Sequence, residues 1–172
     1  AKLCENKIRT IATIAKNFVD SDFNNSDKTL AKQIVGIRIR KIHDHAECNK
    51  GKGKYLGHPH WSKKAIALLK ENNNKTKGIV GKLRSEHVIP INYLVNNIIF
   101  KNEKGIDIEI YEGQILKHSL VAILEKEENK AFSKAFKEHG VSDSMPKDWS
   151  PNHGNPFARY ELAELINHIE NA

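Results

Sequence analysis

Leu83-Arg84-Ser85-Glu86-His87-Val88-Ile89-Pro90 is the stretch on which the fold turns. Polar residues run into two β-branched ones and then a proline, which lacks the N–H that a further ladder bond would need. The segment therefore reads as a short extended piece that Pro90 ends. Its expected companion is Ile106-Asp107-Ile108-Glu109-Ile110, whose period-2 alternation is the clearest strand pattern in the chain. Together they predict a small β-hairpin or short sheet.

Around that pair the apolar spacing is helical. Ile8, Ile11, Ala12, Ala15, Phe18 and Val19 share one helical face. Ser26 or Asp27 caps a second helix carrying Leu30, Ile34, Ile37 and Ile42. Ile37-Arg38-Ile39-Arg40 alternates like a strand and leaves the end of that element open. Ser62 caps a short helix through Leu69, and residues 93–100, 114–124, 127–139 and 157–169 carry further helical patterns. Residues 49–54, 71–81 and 140–156 read as connections. The expected fold is α+β and helix-rich, with several helices around a small β-hairpin or short sheet. No repeat or domain boundary is visible, so residues 1–172 are expected to form a single domain.

With 172 residues, 39% of them hydrophobic and 28% charged, the chain can bury a core, which argues against global disorder. No apolar run approaches the ~18 residues that a membrane span needs, and no signal-peptide core opens the sequence. Cys4 and Cys48 cannot make a disulfide framework. A reduced, soluble, cytoplasmic setting is the expectation. The net charge of +7 is unevenly placed: residues 1–90 carry a net +11 and residues 91–172 a net −4. Between Arg38 and Arg84, 13 basic residues face 3 acidic ones. A basic portion joined to an acidic one points to a polyanion on one face, and nucleic acid is the expected partner.

Several local patterns fit that partner. Lys50, Lys52 and Lys54 alternate with Gly51 and Gly53, so backbone and ammonium groups can lie against phosphate. His58 and His60 flank Pro59 and could contact phosphate, while Trp61 and Tyr55 could stack on a base. Core packing is the competing reading for Trp61. His43, His45 and Cys48 lie close in sequence, but the two histidines fall on different helical faces and no fourth ligand is evident. For Arg159 an internal salt bridge is expected, with phosphate contact as the alternative.

Ser85-Glu86-His87-Val88-Ile89-Pro90 resembles the first motif of the HNH, or His-Me finger, endonucleases. The resemblance spans about six residues. It implies that His87 is the general base on water and that Glu86 helps hold one divalent cation, Mg²⁺ or similar; the basic charge of this portion separately puts Arg84 and the loop lysines on phosphate. The later Asn and His of that family have no counterpart at a matching spacing. His118 and Asn129 are the remaining candidates for a second metal ligand.

The expected function is thus an endonuclease, with DNA the slightly favoured polymer. One alternative is a metal-independent ribonuclease in which His87 and a second His or Lys use the RNA 2′-hydroxyl. Another is a non-catalytic nucleic-acid-binding module. Restriction enzymes and toxin nuclease domains are compatible settings. The chain opens at Ala1 without a methionine, and as a toxin fragment it would call for an acidic immunity protein over its basic face.

Overall fold

The computed structural model describes residues 5–43 and 54–171. Lys50, Lys52, His45 and Cys48 lie outside the described residues. Helix α1 (Glu5–Asp20) turns into α2 (Asn25–Ile42), whose cap is Asn24, its side chain accepting from the Asp27 N–H at 3.0 Å. The α2 core face is Ala31, Val35, Ile39 and Ile42, while Leu30 and Ile37 stay exposed. The buried stripe is therefore rotated from the expected one, and Gly36 on the buried side faces Ile91 and Val95 at ordinary packing distance.

Four short strands form one mixed sheet in the order β2-β3-β1-β4. They are β1 (His60–Ser62), β2 (Leu83–His87), β3 (Val121–Glu125) and β4 (Ile169–Asn171). Strand β2 pairs antiparallel with β3, β1 pairs parallel with β3, and β4 closes antiparallel on β1. The quoted stretch is therefore a strand, but its partner is not residues 106–110. Those residues enter α5 (Ile108–His118), where Tyr111 and Ile115 are buried and Ile110 is exposed. An isoleucine at every second position fits a strand, yet Ile108, Tyr111 and Ile115 satisfy the helical period. The true partner, Val121-Ala122-Ile123-Leu124, is buried on both faces. Such a continuous apolar run shows no alternation, so it reads as more helix.

Helix α3 (Lys63–Glu71) lies on one sheet face, where Trp61, Ala65, Leu83, Val121 and Ile123 form a core cluster. Its cap is Ser62, as its residue type suggested, with the side chain accepting from the Ala65 N–H at 3.1 Å. Helix α6 (Lys126–Glu138) and α7 (Ala158–Leu162) cover the other face through Ala122, Leu124, Phe132, Phe136 and Tyr160. The largest cluster joins α1, α2 and α5 to residues 91–101. That last segment begins as α4 (Ile91–Tyr93), widens into a π turn (Leu94–Ile98) and tightens into a 3₁₀ turn (Ile99–Lys101). The final helix is shorter than its apolar spacing suggests. Glu164 takes a left-handed φ of 57°, which turns the chain so that β4 can pair with β1. The fold is helix-rich α+β, and no helix among the described residues is long and apolar enough to cross a membrane.

Candidate active site

Register decides where the Glu86 and His87 side chains go. Glu86 pairs with Ala122 and Arg84 with Leu124, so both stand on the α6 side, whereas His87 pairs with Val121 on the α3 side. Neighbours in sequence thus project to opposite faces. Both residues nevertheless line a polar cleft of about 190 Å³. Glu86, His87, Arg40 of α2, Asn92, Ser142, Asp143 and Arg159 line it.

Arg159 assembles it. The residue is 1% exposed, in α7, with its guanidinium 4.2 Å from the centre of the Phe136 ring. Its Nε donates to the Val88 carbonyl at 2.8 Å, and Nη2 donates to Glu86 Oε1 at 2.6 Å and to the His87 carbonyl. Nη1 donates to the Ser142 carbonyl at 3.3 Å. One planar fork therefore ties the strand end, the Glu86 carboxylate and the 142–143 loop together. The internal salt bridge expected for Arg159 is present, and its partner is the motif's own acid.

His87 is half-buried, with Nδ1 enclosed and without a hydrogen bond. Burial, and then the nearby His43, Arg40 and Arg159, push its pKa down to about 3. The His43 ring centre stands 5.8 Å from that of His87 and 4.9 Å from that of His58. His43 Nε2 lies 2.7 Å from the Ser119 carbonyl, to which it donates. His58 is 4% exposed, and burial takes its pKa to about 3 as well.

Several expected nucleic-acid contacts fall elsewhere. Trp61 is 2% exposed and donates from Nε1 to the His58 carbonyl at 2.9 Å, so it is a core residue and not a stacking platform. Tyr55 is buried in the same cluster. Buried His58 cannot reach a phosphate on the surface. His60 packs edge-on against Phe157 and shares a 2.8 Å hydrogen bond with Asn171, which ties it to β4. Arg84 Nη1 donates to the Leu83 carbonyl at 2.6 Å, folding back on its own strand. Lys54 is exposed, with its ammonium 5.9 Å from the Tyr55 ring centre. The candidate second ligands do not join Glu86. His118 is buried against Trp149 at the end of α5, and Asn129 lies within α6.

Conversely, Arg40, Asn92, Ser142 and Asp143 were not singled out from sequence. Arg40 belongs to the dense basic stretch, and Ser142 and Asp143 belong to an unusually long loop, a common location for site residues. Among the described residues no group of three or more His, Cys, Asp or Glu side chains is disposed to hold a metal. Mg²⁺, however, usually takes only one or two carboxylates and fills its shell with water and substrate phosphate. Glu86 and Asp143 are the carboxylates that line the cleft, and Glu86 Oε1 is already engaged by Arg159.

The buried histidines carry a pH signature. His58 and His87 resist protonation until about pH 3 and His118 until about pH 4, whereas in the unfolded chain all three take up protons near pH 6.5. Between those values the unfolded state binds more protons, so stability rises with pH and is lost on acidification. Each group contributes a slope of up to about 1.4 kcal/mol per pH unit. Denaturant midpoints should fall steadily from pH 6.5 to 5, and His58→Gln should flatten the slope. A midpoint constant over that range would show that these rings protonate freely in the folded protein.

No protein-family model, no curated protein and no solved structure matches this chain.

Proposed function

We propose that this chain is an endonuclease that hydrolyses phosphodiester bonds in nucleic acid at the cleft beyond strand β2. The observation that carries this reading is that one small cleft beside a basic helix is lined by His87, the carboxylates Glu86 and Asp143 and the arginines Arg40 and Arg159. Burial holds the His87 imidazole uncharged, and it takes up the proton of an attacking water once a substrate phosphate beside it raises its basicity. Arg40, exposed at the rim, supplies positive charge to the phosphate. Arg159 already spends its donors on Glu86 and on carbonyls, so it is a positioning residue. Glu86 and Asp143 would hold a divalent cation, which supplies charge to a phosphate oxygen and to the leaving oxygen.

A second reading has an observation of its own. Glu86 Oε1 is engaged by Arg159, and the His43 ring stands beside His87. That arrangement suits a metal-independent ribonuclease in which the RNA 2′-hydroxyl is the nucleophile. Incubating the purified chain with plasmid DNA, single-stranded DNA and total RNA, each with Mg²⁺ or EDTA, separates the two. Cleavage that chelation abolishes supports the first. Cleavage confined to RNA and indifferent to EDTA supports the second, and intact polymer in every lane rejects both.

Glu86→Gln sharpens the test. It keeps the shape but weakens the cation, so activity should fall by at least ~10-fold at low Mg²⁺ and recover in part at high Mg²⁺. A loss that no cation concentration relieves would assign Glu86 to structure alone.

A further inference from the structure

A second groove, of about 520 Å³, runs between α2 and residues 91–101. Resting on the nuclease reading, we propose that it seats one unpaired base next to the scissile phosphate, which makes the substrate single-stranded nucleic acid with a base preference.

Continuity is the first support. Arg40 and Asn92 line both the groove and the cleft that holds His87, so a strand leaving the cleft passes directly into the groove. Charge is the second. The groove's far part carries Lys32, whose ammonium lies 5.8 Å from the Phe100 ring centre, and its described lining contains no carboxylate. A phosphodiester backbone meets cations at both ends and no repulsion between them.

The interior is built for a base rather than for more phosphate. Gln33, Asn92 and Asn96 each offer an amide that both donates and accepts, the pairing capacity needed to read a base edge. Asn96 Nδ2 donates to the Asn92 carbonyl at 2.9 Å, which fixes that side chain in place. Both asparagines sit where the helix widens into its π turn, a distortion frequent at functional sites. Ile37, 50% exposed and in the lining, gives an apolar surface for the flat face of a base. The volume falls within the ~300–1,000 Å³ of small-ligand pockets, enough for a nucleotide and too little for a duplex. Bases within a duplex are paired and stacked, so their edges are not available to such a pocket.

The test uses the full chain with His87→Ala, so that binding is measured without cleavage. Fluorescence anisotropy would compare labelled homopolymeric single strands of DNA and RNA, equal in length, with a duplex. Single strands should bind more tightly than the duplex, and affinities should differ by about 10-fold between the best and worst base. Adding Gln33→Ala and Asn96→Ala should compress that spread to within about twofold while leaving the salt dependence unchanged, because neither residue is charged. Equal affinity for all bases, a duplex bound as tightly as single strands, or an unaltered spread in the double variant would each overturn the proposal. Its failure is distinct from failure of the nuclease reading. Cleavage by the unmodified chain without base preference removes the groove's role alone. Base-selective binding by a chain that cuts nothing leaves the groove and removes the nuclease.

Discussion

His87→Ala should leave the fold and nucleic-acid affinity close to those of the unmodified chain while cleavage falls by roughly 10²–10⁴-fold, the usual contribution of a positioned acid–base group. Its side chain lies at the end of β2, half-buried, and the charges that supply affinity belong to α2 and the segments around it. The pH profile is the more discriminating readout. A free histidine would impose an acid limb near pH 6.5, but burial and neighbouring cations hold His87 neutral down to about pH 3. Initial rates measured on folded protein should therefore show no loss centred at pH 6.5. A rate that titrates there would mean that the ring is solvated and becomes charged in the folded protein. Unchanged cleavage in His87→Ala would take the central residue out of the mechanism.

Arg159→Met is expected to have the largest effect on stability. Removing one partner of a buried, hydrogen-bonded ion pair typically costs about 3–5 kcal/mol. Here the loss also strips donors from the Val88, His87 and Ser142 carbonyls. For a chain of this length that corresponds to a fall in Tm of roughly 10 °C. Arg159→Lys should recover only part of it, because a point charge cannot span the bonds of a planar fork. Glu86→Gln should cost less than Arg159→Met, because its amide oxygen can still accept from Arg159 Nη2 and the bonds to the Val88, His87 and Ser142 carbonyls stay in place, although the buried guanidinium loses its countercharge. Calorimetry on the three variants gives the order directly. A shift in Arg159→Met no larger than in Glu86→Gln would show that Arg159 does not hold the cleft together.

Legibility in the sequence followed the range of the interactions. The cap at Ser62, the α1 face and an extended piece ending before Pro90 are local, and spacing located them; the cap of α2 is Asn24 rather than Ser26 or Asp27, and the strand itself is Leu83–His87, ahead of Val88 and Ile89. Pairing is not local. Strand β3 lies 34 residues beyond β2 and is buried on both sides, so nothing in its own pattern separated it from the helix before it. Ile106, Ile108 and Ile110 misled because their period-2 spacing straddles the start of a helix: Ile106 precedes it, and the anchors Tyr111 and Ile115 come later.

The candidate site divides the same way. Glu86 and His87 stood out as a short motif, but their cleft is completed by Arg40, Asn92, Asp143 and Arg159, drawn from distant segments. Residue type alone overstated Trp61 and His58, because aromatic and imidazole rings serve a core as readily as a binding face. For Arg159 the internal salt bridge was legible from residue type, but its partner Glu86 and its carbonyl acceptors, drawn from distant segments, were not.

The most direct test of the account is cleavage of single-stranded DNA and RNA oligonucleotides by the unmodified chain in Mg²⁺. His87→Ala, purified in parallel, controls for contaminating nuclease. The account predicts cut products with the unmodified chain and almost none with the variant. Equal cleavage by both, or intact oligonucleotide with both, would contradict it.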